Sequence, residues 1–560
     1  MENARILNGR FNENIDSLKM ELDMNHSLKH SKNIRSFIFS RRNIEKNNFN
    51  NNMQAGNKIF DNEFNNDLIN SNINEIIILF ERIHQNNSLS LNKNQINEIK
   101  SVLLNYLVGI RKELTNEKIS IIQAKSIFNN NTKIFVEALL NPIYDTCDPY
   151  IQLESLWIIN NLLFLVAKFK ETILFEISNI ANLLIGYLKN IYKNQKNDGV
   201  KYTLEEKIIR IFGNLLYINN DILKLLINYE IIPFIISSLN SPIPSFRTAC
   251  LWLINKMLLI IKKTGNNNLI SYFTTKNALS NYKFILSRIH NQHCFDEIGE
   301  LFWIFNELVK YDSAILIPIF FTDNNNINNG GFANLNKEFI LNKFKFILDN
   351  CLSNKMFQPC IRLISNLLMI CYKDINDGDL LSTLIQLLFS KENIFQFITD
   401  LFQSQSNKLD VSLIEDILLL IFNLISITPN KSSPFFKNLV INLISNKEYQ
   451  NNNKILKLLF FIYYKIMKAN NFCFEYNDEN VIKSILFLIQ NFKDDSSVLY
   501  IIIDLFYFYL RALNVKIDGN IENDINRIII NTEDNIQNNE LIIILLNLSN
   551  YIKAKFNLVY

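Results

Sequence analysis

An all-α fold of stacked helical repeats is what this sequence predicts, and three observations lead there. From about Asp67 onward, apolar residues recur at three- and four-residue spacing, as in LINSNINEIIILFERI and KSVLLNYLVGIRKEL. That is the spacing of amphipathic helices. No segment sustains the two-residue alternation of a strand. Polar breaks (KNQKNDG, NSPIPS, KTGNNN, TDNNNINNGG, KDINDGD, TPNKSSP) punctuate the helical runs, two or three helices at a time.

Composition bounds the rest. With 560 residues, a chain of ordinary globular domains would hold about three or four of them. A repeat array grows without splitting into separate cores. Hydrophobic residues make up 48%, too many for a wholly disordered chain, and only 12 Gly and 9 Pro are present, too few for a loop-rich β-protein of this size. The Asn, Ile and Lys bias runs through the whole chain, so Asn abundance carries no functional information. The net charge of +3 does not predict nucleic-acid binding, and none is expected. Seven scattered Cys without a C-x-x-C pair fit a reducing compartment. The opening MENARILNGRFNEN has no apolar signal core. The most apolar stretches, Leu153–Ala167 and Leu499–Leu510, are broken by Asn160, Asn161 or Asp504 and fall short of the roughly 18 residues that span a bilayer. No membrane insertion is expected.

In chain order, residues 1–45 are polar with dispersed basic residues, and 46–66 form an Asn-rich linker. Residues 67–515 carry the repeats, and 516–560 form a helical cap. The longest helices of successive blocks align as SLWIINNLL, IIRIFGNLL, ACLWLINKM, CIRLISNLL and LLLIFNLIS, around Asn161, Asn214, Asn255, Asn366 and Asn423. The gaps are 53, 41, 111 and 57 residues, and the longest contains a sixth block, ELFWIFNELV. Periods of about 40–47 residues with several helices each are the signature of armadillo and HEAT repeats. The longer gaps coincide with Asn-rich insertions.

These blocks resemble the importin-α family. QLESLWIINN, Gln152 to Asn161, is similar to the family's Gln-Phe-Glu-Ala-Ala-Trp-Ala-Leu-Thr-Asn, matching at Gln152, Glu154, Trp157 and Asn161. EEKIIRIFGNLL keeps Glu206, Gly213 and Asn214, with Arg210 at the Trp position. FRTACLWLINK keeps Arg247, Ala249, Leu253 and Asn255, with Leu251 at the Trp position and Trp252 one place late. ELFWIFNEL keeps Trp303, has Glu300 three places before it, and puts Glu307 where Tyr or Asn is usual. CIRLISNLL keeps Arg362 and Asn366; Asn423 follows with Leu419 at its Trp position. The block at Leu458–Tyr463 has lost both Trp and Asn. GRFNEN and FSRRNI (Phe39–Ile44) resemble the ends of the family's importin-β-binding segment, but its central arginine run is replaced by SLKMELDMNHSLKH. Toward the other end, VLYIIIDLFYFYL and ELIIILLNLSNYIKAKF resemble the last full repeat and the helix after it.

The resemblance implies a right-handed superhelical armadillo solenoid with a mostly disordered N-terminal segment. It implies a nuclear import adaptor, shuttling between cytoplasm and nucleus, with importin-β, basic nuclear-signal cargo proteins and a recycling export receptor as partners. Cargo binding would fall to Trp157, Asn161, Asn214, Asn255, Glu300 and Trp303 at a larger site, and to Arg362, Asn366 and Asn423 at a smaller one. Importin-β binding would fall to Arg10, Arg35, Arg41 and Arg42.

The chemistry of such residues is simple. Trp and Asn four apart share a helix face. An amide both donates and accepts, so it can bond a peptide backbone without reading its sequence, and Trp faces take the stems and charges of Lys or Arg. Two departures stand out. The acidic residue expected four places after Asn214 is Ile218, with Asp221 the nearest acid, and only two ladder tryptophans stay in register. For each Asn the plainer alternative is a surface or inter-repeat hydrogen bond, and Trp252 reads as core. A second function, a divergent armadillo scaffold without nuclear-signal recognition, stays open. HNQHC (His290, His293, Cys294) lacks a second cluster to complete a metal site. With five His and no P-loop, Rossmann, nucleophile-elbow or HExxH motif, neither an enzyme nor a cofactor is expected.

Overall fold

A computed structural model describes residues 66–84, 92–114, 131–144, 148–169, 177–193, 199–288, 295–311, 356–373, 410–444 and 452–470, with a few single positions besides. The described elements are helical, and no strand occurs among them. They fall into two compact units, one within 44–359 and one within 360–560.

The first unit holds α1 (Asn66–His84), α2 (Lys93–Leu114), α3 (Asn131–Tyr144), α4 (Pro149–Phe169), α5 (Ile177–Lys193), α6 (Gly199–Ile218), α7 (Ile222–Asn228), α8 (Ile231–Ser238), α9 (Pro244–Thr264), a 3-10 turn (Asn267–Phe273), α10 (Lys276–Ser287) and α11 (Phe295–Leu308). Every few elements the chain returns to the same layer. In one layer α2 packs on α4, α4 on α6, α6 on α9 and α9 on α11. The remaining helices form the other layer: α1 meets α3, α3 meets α5, α5 meets α7, and α8 meets α10. Each helix of the first layer also packs on a neighbour in the second, as α3 does on α4 and α8 on α9. This is the paired-helix arrangement of a repeat array, in which contacts run mainly between sequence neighbours.

Local chemistry sets the helix ends. Asn92 and Gln95 cap α2 reciprocally: the Gln95 N–H donates to Asn92 Oδ1 (2.9 Å) and the Asn92 N–H to Gln95 Oε1 (3.0 Å). Glu230, left-handed at φ 57°, separates α7 from α8, which would otherwise be one helix. Pro244 opens α9, where a missing N–H costs nothing, and Gly265 closes it at φ 71°.

Helix α9 is buried on nearly all sides, from Phe246 to Ile261. It has the length and composition of a membrane span, which the apolar runs picked from the sequence did not include, and 78% of its apolar window is buried inside the fold. A helix buried on nearly all sides and packed by α6, α8 and α11 behaves as a core helix.

The second unit holds most of α12 (Phe357–Lys373), with α13 (Val411–Ile427), α14 (Pro429–Ile444) and α15 (Asn453–Ala469). α13, α14 and α15 pack on one another. Asn452 caps α15, accepting from the Lys454 and Ile455 N–H groups.

Candidate functional site

Each aligned block lies in a helix: Trp157 and Asn161 in α4, Asn214 in α6, Asn255 in α9, Trp303 in α11, Asn366 in α12 and Asn423 in α13. The richest cluster is where α2, α4 and α6 stack. Glu154, Trp157 and Asn160 project at three-residue steps from α4, all half-buried. Gln152, in the same matched segment, points elsewhere. It is buried and accepts from the Tyr187 hydroxyl of α5 at 2.9 Å.

Trp157 stands between two cations of its own chain. The Arg111 guanidinium of α2 lies 4.4 Å from the ring centroid, and the Lys207 ammonium of α6 lies 3.9 Å from it. Both distances are well inside the roughly 6 Å range of a cation–π contact. Arg111 is also pinned by Glu154, Nε to Oε2 at 2.5 Å.

Beside this stack the Asn214 amide donates to Asn160 Oδ1 at 2.8 Å. The amide nearest Asn214 on α4 is therefore Asn160, three residues after Trp157. Asn161 faces inward: it is 6% exposed, and its Nδ2 makes no hydrogen bond. Arg210, at the Trp position of α6, bonds Glu206 of its own helix at 2.9 Å. Asp221 is exposed at the head of α7 and pairs with Lys224 at 2.9 Å, so it does not replace the missing acid on this face.

Titration behaviour follows from these neighbours. Burial works to raise the Glu206 carboxyl, but the charges of Arg210 and Lys207, with hydrogen bonds from Arg210 and Ser245, outweigh it and bring the pKa to about 2. Glu205 is the opposite case. It is 2% exposed, its Oε1 makes no hydrogen bond, and Lys201 stands 4.0 Å away. Burial pushes its pKa up to about 7, with Lys201 opposing.

A carboxyl that keeps its proton in the fold and loses it when unfolded removes stability as pH rises. The Glu205 contribution is therefore intact below pH 4.5 and falls as pH climbs through about 7. Glu205→Gln is expected to flatten this decline and to stabilise the protein above pH 7 by on the order of 2–3 kcal/mol. Urea titrations at pH 5 and pH 8 check it, and an equal pH slope in both proteins would count against it.

The other expected site residues lie deeper. Asn255 is 3% exposed in α9. On α11, Trp303 is half-buried while Glu300 and Glu307, one turn to either side, are buried. Glu307 meets Lys310 at 3.0 Å and Lys262 at 3.7 Å. Arg362 is 3% exposed and donates to Asp416 of α13 at 2.6 Å. Asn423 is buried, and its amide donates to the Ser365 hydroxyl and carbonyl oxygens at 2.7 and 3.2 Å. Arg362 and Asn423 thus join neighbouring helices, while Asn366 stays half-buried. Arg10, Arg35, Arg41, Arg42 and the HNQHC segment lie outside the described residues. Among the described residues no cluster of three or more His, Cys, Asp or Glu could hold a metal.

Four participants escaped the sequence reading: Arg111, Lys207, Asn160 and Asn306. Asn306 is buried and donates to the carbonyls of Phe302 (3.0 Å) and Pro359 (2.8 Å). Like Asn160, it comes three residues after a Trp, where a search four residues on passes it by. Arg111 and Lys207 carry no local motif.

No family model matches the chain, and no curated protein does. Among solved structures, the crystal structure of an engineered protein is similar at a TM-score of 0.51 and 10% identity, covering 86% of this chain and 99% of that one. A structure from work on a phosphorylation switch controlling the interaction between cadherin and beta-catenin is similar at a TM-score of 0.45 and 12% identity, covering 86% of this chain and 83% of that one. The first likeness is one of fold. The all-helical, layered arrangement is compatible with the armadillo repeats expected from the sequence.

Proposed function

We propose that this chain is an armadillo-type adaptor that holds an extended basic segment of a partner protein along the Trp157–Asn214 face. In its most specific form the reading is a nuclear import adaptor. It would take cargo signals on that face, dock to importin-β through residues 1–45, shuttle between cytoplasm and nucleus, and return on an export receptor. The observation that carries it is the half-buried Trp157 ring, already holding cationic groups on its faces, with the Asn160 and Asn214 amides alongside. Aromatic faces take cations and amides take peptide backbone.

The test is titration of a basic signal peptide into the wild type and into Trp157→Ala combined with Asn214→Ala. Loss of the ring is expected to weaken binding by roughly tenfold, about 1.4 kcal/mol. Equal affinity in the two proteins would remove the peptide-binding reading. Retention of importin-β by residues 1–45 tests the adaptor role separately.

A second reading has its own support. Arg362 and Asn423 are buried in contacts with neighbouring helices, which removes two groups from the smaller site. That favours a scaffold binding other proteins without recognising nuclear signals, and the same titration separates the two.

A further inference from the structure

Helix α6 leaves one narrow stripe uncovered. From Leu204 to Leu216 every residue is buried except Glu206, Lys207, Arg210 and Asn214, which follow one another at helical spacing. This stripe runs beside Glu154, Trp157 and Asn160 of α4. Lys207 lies on the Trp157 ring and Asn214 is bonded to Asn160, so Arg210 falls between the aromatic ring and the amide pair. Arg210 is anchored by one atom. Its Nε donates to Glu206 Oε1 at 2.9 Å, and Glu206 is held in turn by Ser245 of α9. The terminal amino groups, Nη1 and Nη2, make no hydrogen bond among the described residues and are not closed off from solvent. Their donors form the fork that matches an oxyanion.

Charge sets the sign of what the fork would take. Around Trp157 and Asn214 the face sets three cations, Arg111, Lys207 and Arg210, against two carboxylates, Glu154 and Glu206. A segment of uniform positive charge would meet that excess unopposed, and one carboxylate would offset it. We propose that Arg210 is an oxyanion-reading position on this face, taking the carboxylate of an Asp or Glu in the bound segment while the Asn160 and Asn214 amides hold its backbone alongside. This rests on the peptide-binding reading above and narrows the ligand to a basic segment that carries an acidic residue. A carboxylate suits the site better than a phosphate. It fits the guanidinium edge with a single charge, whereas a phosphate would set nearly two charges beside the ionised Glu206.

The experiment uses the full chain and short lysine-rich peptides in which a single Glu is moved one position at a time, each with its Gln and phosphoserine counterparts. Fluorescence anisotropy measures their binding to wild type, Arg210→Gln, Arg210→Lys and Trp157→Ala. At one position of the series the Glu peptide is expected to bind the wild type about three- to tenfold more tightly than its Gln counterpart, the gain of a charge-assisted hydrogen bond at a half-exposed site. Arg210→Gln should abolish that preference and leave binding of the Gln peptides nearly unchanged, which also shows that the variant is folded. Arg210→Lys keeps the charge but not the fork, and should retain only part of the preference. It carries the comparison if Arg210→Gln does not fold.

The outcomes separate. If Trp157→Ala weakens binding of the Gln peptides but no Glu position improves on Gln, the role of Arg210 is overturned and the binding face stands. A Glu preference that survives unchanged in both Arg210 variants overturns it equally. A phosphoserine peptide that outbinds its Glu counterpart through Arg210 would make phosphate the occupant and overturn the carboxylate assignment. If no peptide responds to Trp157→Ala or to either Arg210 variant, the binding face and the role of Arg210 both fall.

Discussion

Replacing Arg247 by Met is expected to destabilise the protein by about 3–5 kcal/mol, the loss typical of breaking one side of a buried ion pair. Arg247 on α9 and Glu297 on α11 are both wholly buried. The guanidinium donates Nε to Oε2 at 2.6 Å and Nη2 to Oε1 at 3.0 Å, a bidentate pair, and its Nη1 donates to the Ser241 carbonyl oxygen. Removing the arginine leaves the Glu297 carboxylate without its counter-charge in a dry interface, and that uncompensated charge is the main cost. The pair itself need not be favourable. Arg247→Met combined with Glu297→Leu should recover most of the loss, because desolvating two ions offsets much of their attraction. Urea unfolding followed by circular dichroism measures both. A single variant as stable as the wild type would mean that α9 and α11 do not depend on this pair. The effect should also persist in high salt, which screens surface pairs far more than buried ones.

The second large effect is expected at Gly213. A methyl group built there would lie 2.0 Å from Cζ3 and 2.4 Å from Cη2 of Trp252, so the indole of α9 packs directly on the bare backbone of α6. Gly213→Ala must push the ring or a whole helix aside, and overpacking of this kind costs about 3 kcal/mol. Trp252 is only 7% exposed, and its neighbours leave the ring little room to move. The control is Gly213→Ala in a Trp252→Leu background. There the alanine should be tolerated, and its helix propensity should even help slightly. If Gly213→Ala costs the same with and without the indole, the close approach is not what requires glycine.

How much of this was readable beforehand can be traced through the same residues. The helices were, because burial of an amphipathic face leaves a period in the sequence, and every Asn-centred block does lie in a helix. Trp252, a core residue by its sequence, is buried. The direction of single side chains was harder. Consecutive residues on a helix differ by about 100°, so a choice between Asn160 and Asn161 decides whether an amide reaches the next helix or the interior. Leu-Ile-rich surroundings give no cue at that resolution. Partners were harder still. Arg111 and Glu154 are 43 positions apart, Arg362 and Asp416 54, and no local pattern links them. Arg362 resembled a ligand-binding residue because its neighbours matched a motif. Its role in the structure was set by an aspartate from the next helix.

Two of the amides that cross between helices, Asn214 to Asn160 and Asn423 to Ser365, have a mechanical consequence. Each ties a side chain to one particular place on the adjacent rod, and Asn423 also reaches a main-chain oxygen there. To slide by a turn, about 5.4 Å, a helix would have to break that tie and leave a polar group stranded. Tilting about the tie disturbs it far less. Under load these stacks should therefore resist shear and yield by rocking, so elastic compliance within each unit would be angular, not translational.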